Sequence, residues 1–275
     1  MAILIPLSRP ASNKVSDVNT RLTILTGTTR GLGAAMAAQL ASQGGHLVTV
    51  ARSASAPLAQ LAQDSGTALT HVFIDLLDAG AVERAAIELA ALTRAHLAAG
   101  HTRVRVIHNA GVVGPIAMAH QLTDLHAINQ AFQVNIAAPI FLTAHLLTAA
   151  SLAADLRIML ISSGAGRSPT AGWGVYCATK AALDRYAQVI ALEQGASSDT
   201  RVRVASIAPG VVDTDMQATI RGSDPDNFPA RDRFMDMHTL HQLISPELTA
   251  QRLLQVLDSD QFGAQIIDDI RQHSF

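Results

Sequence analysis

The chain has 275 residues, 49% of them hydrophobic and only 15% charged, with a formal net charge of −2. A disordered chain is excluded, and the length suits one large α/β domain, or two small ones, with a well-buried sheet. The near-neutral charge predicts no nucleic-acid or membrane surface, and the one cysteine, Cys177, which allows no intrachain disulfide, fits a reducing cytoplasm.

Residues 2–7 form an apolar run that is short and lacks a preceding basic residue, so no secretory signal is expected. Residues 1–20 read as an N-terminal extension. Strand and helix signals then alternate. Residues 21–25 are apolar and β-branched, and glycines follow directly; 34–42 read as an Ala-rich helix stopped near Gly44-Gly45. Strands are predicted at 46–51 and 70–74, a long helix at 79–98, and a strand at 103–107 that halts at Asn109-Ala110-Gly111. Residues 123–150 are largely helical. Their most apolar part, 136–147, is interrupted by Pro139, Thr143 and His145 and reads as a buried helix rather than a membrane span. A strand at 157–161, a helix at 176–192, a strand at 202–207 and a helix at 246–257 follow, with a last strand at 263–267.

This alternation predicts a Rossmann-type α/β fold: a doubly wound parallel sheet in a single three-layer αβα domain over residues 21–275. The one long irregular stretch, residues 213–245, carries Gly222, Pro225 and Pro229 and reads as a lid over a substrate site.

The glycine-rich turn TGTTRGLG at 26–33 lies between the first strand and the first helix. Its Gly27, Thr29, Arg30, Gly31, Leu32 and Gly33 suit close approach of a pyrophosphate to a helix N-terminus. NAD sites carry an acid at the end of the second strand, some 20 residues on. Here that end reads Val50-Ala51-Arg52-Ser53, with no acid. Arg52 and Arg30 can instead pair with a 2′-phosphate, so NADP(H) is the expected cofactor. Ser163 follows the fifth strand. Tyr176 and Lys180 stand i and i+4 on a helix and face the same way. The ammonium is expected to lower the tyrosine pKa and make Tyr176 a usable acid near neutral pH.

With these residues in this order, the chain resembles the short-chain dehydrogenases/reductases from about residue 21 to 269. The matching positions are the 26–33 turn, Asp75, Asn109-Ala110-Gly111, Asn135, Ser163, Tyr176, Lys180, Pro209-Gly210 and Thr214. The resemblance implies that Tyr176 donates a proton, Ser163 holds the carbonyl oxygen, and Lys180 bonds the nicotinamide ribose. It implies that Asn135 positions a relay water and that Asp75, with Leu76 beside it, borders the adenine. Asn109, Ala110 and Gly111 would line the cofactor at the central sheet, and Pro209, Gly210, Val212 and Thr214 the nicotinamide. Ser162 competes with Ser163; the family's spacing selects Ser163. His108 stands where the family commonly has asparagine and is expected to alter packing rather than chemistry.

A closer pattern, ISSGAGRSPTAGWGVYCATK at 161–180 and PGVVDTDMQATIR at 209–221, is similar to the sepiapterin-reductase and benzil-reductase branch. That resemblance implies reduction of α-dicarbonyls such as benzil with NADPH, without fixing the stereochemistry. Two alternatives stay open: an NADP-dependent alcohol dehydrogenase, and a non-catalytic NADP(H)-binding regulatory protein. Trp173 and Met216 are candidate substrate contacts, with Phe228, Phe234, Met235 and Met237 as further lid residues. Cys177, one helical step from Tyr176, is expected to point away from the site. His238 and His241 lack a carboxylate partner, so no metal is expected. The resemblance implies a homo-oligomer, a dimer or tetramer joined through helices 123–150 and 176–192, with a monomer as the alternative, acting on a small carbonyl substrate in the cytoplasm.

Overall fold

A computed structural model describes residues 20–195 and 200–275; apart from Thr20, the expected N-terminal extension lies outside the described residues. Seven parallel strands pair in the order β3-β2-β1-β4-β5-β6-β7. They are β1 (Arg21–Thr26), β2 (His46–Ala51), β3 (Ala68–Phe73), β4 (Arg103–His108), β5 (Asp155–Ile161), β6 (Val202–Ala208) and β7 (Ile267–Asp269). The helices are α1 (Gly31–Ala41), α2 (Ala56–Asp64), α3 (Ala79–Ala98), α4 (Leu125–Phe132), α5 (Ala138–Ala149), α6 (Gly174–Gln194), α7 (Asp215–Arg221), α8 (Arg231–Thr239) and α9 (Pro246–Asp258). This is the expected doubly wound Rossmann-type architecture.

Strand residues alternate between faces, so each strand feeds two cores. Leu22, Ile24, Val104, Val106, Ile158 and Leu160 pack with Leu89, Leu142, Leu146 and Leu183 of α3, α5 and α6. Leu25, Ile107, Met159 and Ile161 pack on the other face with Met36 and Leu40 of α1 and Leu253 and Leu257 of α9. A sheet covered on both faces explains the near-continuous apolar strands. Helices α4 and α5 with the turn between them, Leu125–Ala149, are long and apolar enough to cross a bilayer. Their apolar content is explained by packing: Ala138, Leu142 and Leu146 are buried in the first core.

Two local expectations are corrected, and one helix gains detail. Helix α2 was not expected, yet its start has a cap: the Ser55 side chain accepts from Leu58 N at 3.4 Å, and Pro57 sits in the first turn. The last strand runs Ile267–Asp269 rather than 263–267, because Gly263 turns at φ +87. The largely helical stretch expected over 123–150 is found at Leu125–Ala149, with a π turn, Gln133–Ala137, inside it, where the Ala138 N–H donates to Gln133 O. Pro139 lies just beyond and has no N–H to donate to Asn135 O, four residues back, so regular α-helical bonding lapses there.

Candidate active site

Strand order reverses between β1 and β4, and the crevice at that reversal is where this architecture binds ligands. Two segments are stitched together there. The Thr26 hydroxyl accepts from Asn109 N (3.0 Å) and Ala110 N (3.1 Å), while Asn109 Nδ2 donates to the carbonyls of Thr26 and Gly27, both at 3.1 Å. Gly27 turns at φ +74, and a Cβ on it would lie 2.8 Å from Ala110 Cα. A Cβ on Gly33 would overlap the Gly27 carbonyl oxygen. Only glycine therefore lets this turn close against β4 and open α1 with free N–H groups, which is the cradle a pyrophosphate requires. Gly31 lies against the Thr214 methyl, and Leu32 is buried in the α1 core.

Around this cradle, Thr29, Arg30, Arg52 and Ser53 are exposed. Arg30 Nη1 meets Asp215 Oδ2 at 3.2 Å, so the glycine turn touches the first turn of α7. Asp75 is exposed after β3 and accepts from Leu77 N at 3.0 Å; Leu76 O accepts from Gln133 Nε2 at 3.2 Å. Pro209 and Gly210 follow β6, with Gly210 at φ +78. Val212 is buried and bridges Ile244, and Thr214 begins α7.

On the other side of the crevice, Asn135 is fully buried in the π turn. Its Oδ1 accepts from Val112 N at 2.8 Å; its Nδ2 donates to Val112 O (2.9 Å) and to Thr179 Oγ1 (3.0 Å). Thr179 in turn donates to Tyr176 O at 2.9 Å, so Asn135 ties the loop after β4 to α6. Ser163 accepts from Ala165 N at 3.2 Å and stands within hydrogen-bond reach of the Tyr176 hydroxyl. Ser162 turns the other way, toward Lys180 O. Lys180 is buried and donates from Nζ to Ile161 O at 2.8 Å, with Nζ 5.7 Å from the Tyr176 ring centre. A Cβ added to Gly111 would sit 3.3 Å from Asn135 Oδ1 and 3.5 Å from Lys180 Nζ, so all three converge.

The electrostatics correct one expectation. Burial pushes the Tyr176 hydroxyl up to about 12, against the lowering effect of Ser163. Lys180 does not bring it down: burial lowers the lysine itself to about 8, which Asp184 only partly offsets. Tyr176 is thus a neutral phenol, a proton donor rather than a phenolate. His108 is also buried. Its Nε2 lies 2.8 Å from Thr143 Oγ1, and burial lowers its pKa to about 4. It packs under the site as a neutral ring, in keeping with a packing role.

The walls are aromatic. Trp173 stacks on Phe228 at 4.9 Å, lies 5.3 Å from Phe234, and meets the Tyr176 ring nearly edge-on at 5.4 Å. Val113, Ala165 and Ile220 complete the cluster, and Met216 packs against it. Met235, expected beside them, is exposed. Cys177 also departs from expectation: it is half-buried and packs against this same cluster. Among the described residues no group of side chains could hold a metal ion.

Sequence reasoning passed over Thr26 and Thr179, which act through backbone and side-chain bonds to other site residues. The threonine inside the Tyr176–Lys180 spacing and the one ending β1 were the available signals. Asp215 beside Arg30 had none, because 185 residues separate the pair.

A family model described as short chain dehydrogenase matches residues 21–224. The chain is 32% identical over 243 residues to a benzil reductase ((S)-benzoin forming) of Bacillus cereus, covering 88% of this chain and 96% of that one. It is 34% identical over 247 residues to the sepiapterin reductase of Rattus norvegicus, covering 87% and 92%. A short chain dehydrogenase from Burkholderia cenocepacia, solved in complex with NADP, superposes with a TM-score of 0.70 at 25% identity, covering 92% and 96%. Glycine turn, buried Asn135, Ser163 beside Tyr176, and these similarities agree: the chain belongs to the short-chain dehydrogenase family, oxidoreductases that interconvert carbonyl and alcohol groups with a nicotinamide cofactor.

Proposed function

We propose that this chain is an NADPH-dependent carbonyl reductase for ketones that carry a second, adjacent carbonyl, benzil being the simplest aromatic case. The observation that carries the reading is the convergence of Ser163, Tyr176, Lys180 and Asn135 at the mouth of the glycine cradle. Gly27, Gly31 and Gly33 would hold the pyrophosphate. Asp75 and Leu76 would border the adenine, Asn109 to Gly111 the ribose side, and Pro209, Gly210, Val212 and Thr214 the nicotinamide. Arg30, Arg52 and Ser53 would read a 2′-phosphate; both guanidiniums are exposed, and no acid ends β2. The NADP complex of the Burkholderia relative supports this choice, and the two reductases named for benzil and sepiapterin support the substrate class.

Held by the glycine cradle and by Pro209, Gly210, Val212 and Thr214, a nicotinamide cofactor would supply the hydride for the carbonyl carbon. Ser163 and Tyr176 hold the carbonyl oxygen between two hydroxyls, and Tyr176 gives its proton to that oxygen as the alcohol forms. The phenolate left behind lies close to Lys180, which is an ammonium below about pH 8 and favours that charge. Asn135 keeps α6 and the Val112 loop in register, and it would position a relay water beside them. Trp173, Met216, Phe228 and Phe234 exclude bulk water from the oxygen as it gains charge. Residues 213–245 act as the substrate lid, since they deliver both phenylalanines to Trp173.

The chain also presents Leu125, Phe132, Ile140 and Phe141 on α4 and α5, and Val189 and Leu192 on α6, as exposed apolar residues. They support self-association through these helices.

The test is NADPH oxidation by purified protein across benzil, an aliphatic diketone, a pterin ketone, a simple aldehyde and a steroid ketone, with NADH in parallel. The expected result is turnover with NADPH and preference for the diketones. Cofactor binding without turnover of any carbonyl or alcohol would overturn the reading in favour of a non-catalytic NADP(H)-binding protein.

A further inference from the structure

Among the described residues, Trp173 carries a buried donor with no acceptor. It precedes Tyr176 by three residues at the start of α6, and that spacing stacks the two side chains on one face. Their rings lie 5.4 Å apart, and Phe228 and Phe234 cover the indole at 4.9 and 5.3 Å. The other side chains of the cluster that meet them, Val113, Ala165, Ile220 and Met216, offer no oxygen or nitrogen. Trp173 is 6% exposed, and its Nε1 is buried without a hydrogen-bond partner.

Such a state is costly. A buried N–H left unpaired loses its water and gains nothing, and buried tryptophans ordinarily find an acceptor. For packing alone, phenylalanine would fill an aromatic cluster without that cost. The indole lies against Tyr176, so a molecule held at the tyrosine hydroxyl can bring an acceptor to it. A mono-ketone spends its only oxygen on Ser163 and Tyr176. An α-dicarbonyl has a second oxygen on the neighbouring carbon.

We propose that the Trp173 indole N–H donates to the second carbonyl oxygen of an α-dicarbonyl substrate while Ser163 and Tyr176 engage the first. The inference rests on the α-dicarbonyl reading above and deepens it, naming the group that separates a diketone from a mono-ketone of the same shape. A site built to bond an oxygen rejects the analogue that lacks it, because its own donor then stays unpaired.

The experiment compares kcat/KM for benzil and for deoxybenzoin, which keeps both phenyl rings but has a methylene in place of one carbonyl. It uses the wild-type chain, Trp173→Phe, and Phe228→Leu. The intrinsic reactivity of the two ketones cancels when their ratio is compared between variants. Trp173→Phe keeps a ring and loses the N–H, so it is expected to lower the benzil value about tenfold more than the deoxybenzoin value. Phe228→Leu thins the same stack without touching the N–H and should lower both together. Equal effects of Trp173→Phe on the two ketones, or none on either, would reduce Trp173 to packing and overturn the proposal while leaving a diketone preference standing. A wild-type chain that turns over other carbonyls but no diketone would remove the substrate reading first, and this proposal with it.

Discussion

The two edges of the central sheet treat charge in opposite ways. At the amino-terminal edge, Arg21, Arg105, Arg157 and Arg203 are buried around Asp155 and Asp258. Asp155 meets Arg203 at 2.7 Å, Arg105 at 2.9 Å and Arg157 at 3.2 Å; Arg21 reaches Asp258 at 2.9 Å. Arg157 also donates to the carbonyls of Leu257 and Ser259, which close the C-terminus of α9. Burial would push the Asp155 carboxyl up, but Arg105, Arg157 and Arg203 outweigh it and hold it below its usual range. At the carboxyl-terminal edge the polar groups are not matched: Tyr176 is pushed up to about 12, Lys180 down to about 8, and Trp173 Nε1 has no partner among the described residues. Charges paired inside the protein serve the fold. Burial also lowers Arg105, to about 10, and Arg157, yet both keep ion pairs to Asp155; among the described residues Tyr176 and Lys180 have no ion pair, and that asymmetry marks the site.

Breaking the matched edge should have the largest effect on stability. Asp155→Ala strands three buried guanidiniums and is expected to cost about 3–5 kcal/mol in urea denaturation. A loss below about 1 kcal/mol would put the cluster in the class of exposed ion pairs and erase the contrast.

His108 gives the next effect, through pH. Its folded pKa of about 4 lies below the ordinary 6.5, so the unfolded chain binds the proton first. Its contribution is complete above pH 6.5 and is lost as pH falls toward 4, about 3 kcal/mol in all. Equilibrium unfolding from pH 7 to 4 should show this slope in the wild type and a flatter one in His108→Asn. Parallel curves would remove His108 as the cause.

Lys180→Met should act in the reverse sense. The folded pKa of about 8 lies below 10.5, so the buried ammonium opposes folding below pH 8, and that penalty fades between 8 and 10.5. Removing it should raise stability at pH 7 by about 1–2 kcal/mol, after allowing for the lost bond to Ile161 O, while turnover disappears. A destabilised variant would mean that Lys180 belongs with the structural charges.

The glycine turn and the Tyr176–Lys180 pair were legible because each is a local spacing attached to a strand end or a helix face. The strand alternation was legible because both faces of the sheet are covered. The arginine cluster was not. Arg105, Arg157 and Arg203 sit on three different strands and meet only because register places Arg105 opposite Arg157 and Arg157 opposite Arg203. The members of the aromatic wall, Trp173, Phe228 and Phe234, were legible as pocket and lid candidates, but their stacking was not, since Trp173 and Phe228 come from segments far apart in the chain. The Tyr176 pKa escaped because the spacing shows the neighbouring ammonium but not the depth of burial, and burial is the larger effect.

The most direct test of the account is Tyr176→Phe, assayed for benzil reduction and for NADPH binding in the same preparation. The account predicts turnover lowered by about a thousandfold or more with NADPH affinity within about twofold of wild type. Turnover retained within tenfold would contradict it, because the proton would then reach the carbonyl oxygen from a group other than Tyr176.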